Sequence, residues 1–369
     1  MARADHNIAD APHTSRFDPM TTLERAERPA ASISPVLFAV TTFASAGLVF
    51  LVQPMVAKLV LPLLGGSSSV WNTSIAFFQA ALLVGYGYAH FLQKIRSVRG
   101  QALVHVAALL VAALALPLQV TGLLGVPSSD YPSSWLLGVL AVSIGAPFAI
   151  LSATAPLVQA WHARTVHAET GAEPYALYAA SNLGSLLALL AYPALVEPLA
   201  TLHGQTSGWS AGYVAFVVLM ATLALFVSRA RVAKIEALAA VGPGPTWRDR
   251  AIWIGLAAIP SSLMLGVTTH ITTDVASAPF LWVIPLALYL LTFIIAFSDK
   301  PIISSELTLM LQAAAVVACA ALMPFKSANF MMQLSVHLAA FFLTALMCHQ
   351  ALVARRPDPA HLTEFYLWL

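Results

Sequence analysis

The chain has 369 residues, 59% hydrophobic and only 9% charged, with a formal net charge of +2 and a mean hydropathy of +0.80. Soluble domains carry about a quarter charged residues, so a water-soluble globular protein is excluded. No nucleic-acid-binding patch stands out, and no nucleic-acid partner is expected.

Residues 1–34 are polar and lack the apolar core of a secretory signal, which predicts a disordered cytoplasmic tail. Beyond them recur apolar runs near the roughly 20 residues needed to cross hydrocarbon. They are too long and too evenly apolar for barrel strands. The expected fold class is therefore all-α, a polytopic helical membrane protein, because helices satisfy their own backbone polar groups in lipid. Spans are predicted at 35–57, 70–92, 102–120, 134–160, 174–197 and 207–228, and then at 250–271, 279–298, 304–323 and 329–352. The final HLTEFYLWL reads as the start of an eleventh span, so the expectation is a chain cut short within it.

Lys and Arg alternate by loop. The N-terminal tail holds four, and every second loop holds others: Lys94, Arg96 and Arg99; Arg164; Arg229, Arg231, Lys234, Arg248 and Arg250; Lys300; Arg355 and Arg356. Only Lys58 and Lys326 fall on the opposite side, which predicts a cytoplasmic N-terminus. The five-charge connection contains GPGP and then Thr246 with Asp249 three residues later, a capping box opening the seventh span. The chain thus divides into a six-helix half (35–228), a basic cytoplasmic linker (229–250) and an incomplete second half (251–369). The halves align weakly. ASAGLVFLVQPMVAKL (44–59) lies against PSSLMLGVTTHITTDV (260–275) without a gap, and LYAAS in the fifth span resembles the terminal FYLWL. A 6+6 pseudo-repeat of this kind is a transporter device, with solute sites near the repeat interface.

Polar residues inside spans are costly and mark candidate sites. Asn72, Gln79 and Tyr86 recur at seven-residue steps and His90 follows four later, one stripe of the second span that is a candidate cavity wall. In the fifth span Tyr178 and Asn182 share a face, beside a small-residue ridge of Ala180, Gly184 and Ala188 that permits close helix approach. Aromatic faces with an amide suit a cation, and equally a core whose hydroxyls are satisfied internally. Lys58 and Asp274 occupy matching positions in the two halves and form a candidate ion pair or gate. His270, four residues before Asp274, is a candidate pH-sensitive group, and equally a hydrogen-bonded bystander. Glu197 ends the fifth span at the interface. No catalytic, cofactor or metal-ligand motif is found; Cys319 and Cys348 lie within apolar runs and read as packing thiols.

Three long segments carry a family resemblance: FLVQPMVAKLVLPLLGGSSSVWNTSIAFFQAALLVGYGYAH, YALYAASNLGSLLALLAYPALVEP, and SSLMLGVTTHITTDVASAPFLWVIPLALYLLTFI followed by HLTEFYLWL. Together they resemble the bacterial membrane proteins described as fused major-facilitator/spermidine synthase proteins, over nearly all of residues 33–369. The resemblance implies a major-facilitator-like fold in a bacterial inner membrane. It also implies a cytosolic spermidine synthase-like domain as partner, fused or separate. No glycine-rich nucleotide loop of such a domain is present in this sequence, so the chain itself is not expected to be an enzyme. Anchoring the synthase or handling a polyamine-type or other small cationic solute follows as the expected task. A free-standing major-facilitator-like secondary transporter or a non-functional truncated fragment are the alternatives. After the second span, where major-facilitator proteins keep a Gly-x-x-x-Asp-Arg-type motif, this chain reads GYGYAHFLQKIRSVRG, with His90 where the acid would stand.

Overall fold

A computed structural model describes residues 34–65, 68–127, 130–167, 174–229, 244–274, 283–298, 302–322 and 330–369. The expected N-terminal tail (1–33), most of the basic linker (230–243) and the stretch 275–282 lie outside the described residues, as does the side chain of Asp274. Helices account for the fold, and among the described residues no strand occurs. In chain order they are α1 (Pro35–Leu64), α2 (Ser68–Leu92), α3 (Val98–Ala112), α4 (Pro132–Val166), α5 (Ala176–Leu199) and α6 (Leu202–Arg229). The second half supplies α7 (Trp247–Asp274), α8 (Val283–Ala296), α9 (Ser305–Leu322), α10 (Phe330–Ala354) and the short α11 (Leu362–Trp368). Nine of them are, among the described residues, long and apolar enough to cross a membrane, and α8 is a shorter apolar helix. The protein is an all-α polytopic membrane protein.

Each predicted span coincides with a helix, but some ends differ. The third stops early: after the tight turn Ala113–Ala115 the chain becomes extended at Leu116, whose following Pro117 disfavours helical backbone. The first continues through Pro54 and Pro62 to Leu64. Two helices carry wider π turns, Ala141–Gly145 and Ala163–His167 in α4 and Tyr192–Val196 in α5. Pro147 and Pro193 lie just after or within two of them, where a missing N–H frees a carbonyl one turn back. The seventh span opens as its spacing predicts. Thr246 N donates to Asp249 Oδ2 at 2.8 Å, and Asp249 N donates to Thr246 Oγ1 at 3.3 Å.

Helix pairing repeats between the halves. In the first, α4 packs on both α1 and α2; in the second, α10 packs on both α7 and α8. Across the halves α5 lies against α8, and α2 against α11, again matching positions of the two repeats. The large first-half core includes the fully buried Phe38, Met55, Phe148, Trp161 and Tyr213. Apolar side chains such as Leu83, Val84, Leu103, Val218 and Val317 remain exposed around the bundle, the surface a helix presents to lipid.

The closest helix crossings sit at glycines. A Cβ at Gly184 of α5 would lie 2.3 Å from the Phe43 carbonyl oxygen of α1, and one at Gly85 of α2 would lie 2.3 Å from the Ala149 oxygen of α4. The Ala180–Gly184–Ala188 ridge thus serves packing, bringing two backbones together where no side chain fits.

Candidate functional site

The two halves meet in an aromatic seam near the end that carries the basic loops. Tyr178 of α5 stacks on Tyr366 of α11 with ring centroids 4.9 Å apart and 29° between planes. These two tyrosines are the equivalent residues of LYAAS and FYLWL. Contact between equivalent residues is expected beside a pseudo-two-fold axis, and nowhere else unless by accident. Around the pair, Tyr178 packs edge-on against Phe293 and Phe297 of α8 at 5.3 and 4.6 Å. Tyr175 and Phe365 stand 6.0 Å apart, and Phe365 meets Trp253 of α7 at 5.0 Å. Tyr86 of α2 and Tyr289 of α8 complete the cluster.

Hydrogen bonds tie the same end across the halves. Tyr366 Oη donates to Gln159 Oε1 of α4 at 2.7 Å, and Tyr175 Oη donates to the Pro357 carbonyl at 2.8 Å. His90 Nδ1 lies 3.3 Å from Thr363 Oγ1 of α11. His90 is therefore a cross-half contact. Arg356 lies over the Tyr175 ring at 5.1 Å. Within the second half, Arg250 of α7 pairs with Glu364 of α11, Nε to Oε1 at 2.8 Å and an Nη2 contact of 2.6 Å. Its guanidinium stacks on Trp247 at 4.7 Å, so burial of the pair is compensated on two sides.

The predicted residues fall into three groups. Tyr86, His90, Tyr178 and Asn182 are brought together near the seam, although Asn182 turns inward and donates from Nδ2 to the Tyr178 carbonyl at 2.8 Å. Asn72 and Gln79 share the helical face of Tyr86 but lie farther from the basic end, and both are exposed. His270 is exposed on α7, its ring 5.9 Å from that of His337 on α10.

Among the described residues, Lys58 pairs within its own half. Its partner is Glu197 of α5, with the ammonium also 5.9 Å from the Tyr192 ring. Because α1 and α5 pack along their length, their far ends meet, and a lysine near one end finds the acid near the other. Asp274, the predicted partner, has a side chain outside the described residues.

Several residues were not singled out from sequence. Gln159, Glu364, Tyr289 and His349 each sit in runs where a lone polar group reads as packing. Glu364 had the strongest signal, a single acid inside an aromatic segment facing a basic loop. Two buried histidines have tautomers fixed by threonine. Thr292 Oγ1 donates to the Tyr289 carbonyl at 2.6 Å, so it accepts from His349 Nδ1 at 2.9 Å, leaving Nε2 without a partner among the described residues. His105 Nε2 meets Thr154 Oγ1 at 3.2 Å in the same manner, and among the described residues its Nδ1 has no partner. Both rings are fully buried. Among the described residues no group of three or more His, Cys, Asp or Glu is placed to hold a metal ion.

The chain matches no protein-family profile and no curated protein.

Proposed function

We propose that this chain is the solute-handling membrane domain of a protein with major-facilitator-like architecture, held with its basic end closed. The observation that carries the reading is the stacking of the repeat-equivalent Tyr178 and Tyr366, with cross-half hydrogen bonds on either side of it. Two bundles related by an axis through that contact open by rocking, and the hydrogen bonds that must part are few and join uncharged groups, with the Arg356–Tyr175 ring contact as the one charged contact among them. By the alternation of Lys and Arg, the basic end faces the cytoplasm of a bacterial inner membrane. The resemblance to synthase fusions puts a spermidine synthase-like domain on that side as the expected partner.

The seam chemistry favours an uncharged or weakly charged small solute over a polyamine. Among the described residues, the seam offers tyrosine faces, Gln159 and Asn182, but its one carboxylate, Glu364, is already paired with Arg250. A polycation desolvated there would lack a counter-charge, a cost of several kcal/mol per ion.

The test is side-specific labelling. Cys319 and Cys348 are replaced, Ala179→Cys is installed beside Tyr178, and a membrane-impermeant maleimide is applied from each side of oriented vesicles. The reading predicts protection from the basic side in the resting protein, relieved when a solute drives the halves apart. Rapid basic-side labelling at rest would overturn it.

A further inference from the structure

We infer that His270 and His337 form a divalent transition-metal site linking α7 to α10, independent of the seam. The two rings face one another across an open groove of about 650 Å³ near the ends of α7 and α10 opposite the basic loops. Small residues Ala258, Ser262 and Gly266, at four-residue steps on α7, recess the wall so that the imidazoles at the groove's end can approach.

The ring separation is one that a shared ion can span. A zinc–nitrogen bond is ~2.0–2.1 Å, and a ring nitrogen lies ~1.1 Å from its centroid, so a shared ion sits ~3.2 Å from each ring centre. The observed 5.9 Å separation then corresponds to an angle at the metal of ~135°, and a shift of under ~1 Å brings it to tetrahedral.

His337 is also oriented as ligating histidines are. Its Nδ1 lies 2.7 Å from the Gln333 carbonyl oxygen one turn back. A carbonyl only accepts, so Nδ1 carries the proton and Nε2 presents its lone pair away from α10. Donation of the non-ligating N–H to a backbone carbonyl is the usual way a metal-bound imidazole is held. His270 is exposed, so water completes the coordination shell, as in open zinc sites. Two imidazoles select the borderline divalent ions, zinc, copper and nickel, over magnesium or calcium.

Purified protein in detergent is titrated with Zn²⁺ by calorimetry, with Co²⁺ absorption as a second readout of nitrogen ligation. The expected result is one ion per chain, with His270→Gln and His337→Gln each weakening binding at least about tenfold. His203→Gln, an exposed histidine of α6, leaves it unchanged. Thermal unfolding without metal verifies that each variant remains folded. Binding that survives both substitutions, or equal loss in His203→Gln, identifies adventitious sites and overturns the proposal; so does absence of binding at millimolar zinc. None of these outcomes bears on the seam.

Discussion

Substituting Gly184 by alanine adds one methyl group, and the structure gives it no room. The new Cβ would stand 2.3 Å from the Phe43 oxygen, 3.0 Å from its carbonyl carbon and 3.1 Å from its Cα. All three are backbone atoms of α1, so no rotamer change relieves the clash. Carbon contacts are comfortable near ~3.5 Å or beyond, and the two helices must therefore separate by about 1 Å at this crossing. Overpacking of this kind costs about 1–3 kcal/mol. Alanine's higher helix propensity returns up to ~1 kcal/mol, so with an overpacking cost in the middle of that range the net effect is destabilising by roughly 1 kcal/mol, and by up to about 2. Gly85→Ala makes the parallel test at the α2–α4 crossing, where the Ala149 oxygen is 2.3 Å away. Gly87→Ala is the control: nothing lies within 4 Å of its Cβ, so only the propensity gain of about 0.5–1 kcal/mol remains. The assay is denaturant unfolding of the three variants in one detergent under one protocol. The reasoning fails if Gly184→Ala matches the unmodified protein, or if Gly87→Ala is as damaging as the other two.

Further outcomes follow from single contacts. Glu364→Gln leaves Arg250, whose side chain is only 22% exposed, without its counter-ion, and unfolding should register a loss of about 1–3 kcal/mol. Lys58→Met should change stability by less than about 1 kcal/mol in the same assay, because the Lys58–Glu197 pair is partly solvated and screened. Tyr366→Phe removes the donor to buried Gln159 while keeping the ring stack. It should weaken the seam by roughly 1 kcal/mol and raise basic-side labelling at Ala179→Cys; unchanged labelling would contradict the closed seam. Thr246→Ala should cost about 0.5–2 kcal/mol through loss of the cap on α7.

Much of the fold was legible because two independent patterns agreed. Apolar runs of spanning length located the helices, and the alternation of Lys and Arg required an even number of crossings between basic loops. The seam was legible only in part: the sequence singled out Tyr178 and the likeness of LYAAS to FYLWL, but not Tyr366 or its contact with Tyr178. The Lys58–Glu197 contact was not legible, because an alignment of the halves reports which positions are equivalent and not that α1 and α5 lie side by side. His349 and His105 escaped notice for another reason. A lone histidine in an apolar run carries no sign of the threonine on another helix that fixes its tautomer.

The ion pairs and the seam bonds divide the work between them. Lys58–Glu197 joins α1 to α5, and Arg250–Glu364 joins α7 to α11, the matching helix pair of the other half. Each pair lies within its own half, one at the far end and one at the basic end, so neither must break for the bundles to move apart. Opening the basic end instead requires parting the Tyr366–Gln159, Tyr175–Pro357 and His90–Thr363 contacts. At about 0.5–1.5 kcal/mol each, they sum to roughly 1.5–4.5 kcal/mol, before the aromatic contacts are counted. A gap of that size is within reach of a ligand that binds the open form 10- to 1,000-fold more tightly than the closed form. The Arg356 guanidinium over the Tyr175 ring adds one charged contact across the seam, so the ion pairs hold each half together while mostly neutral groups join the two.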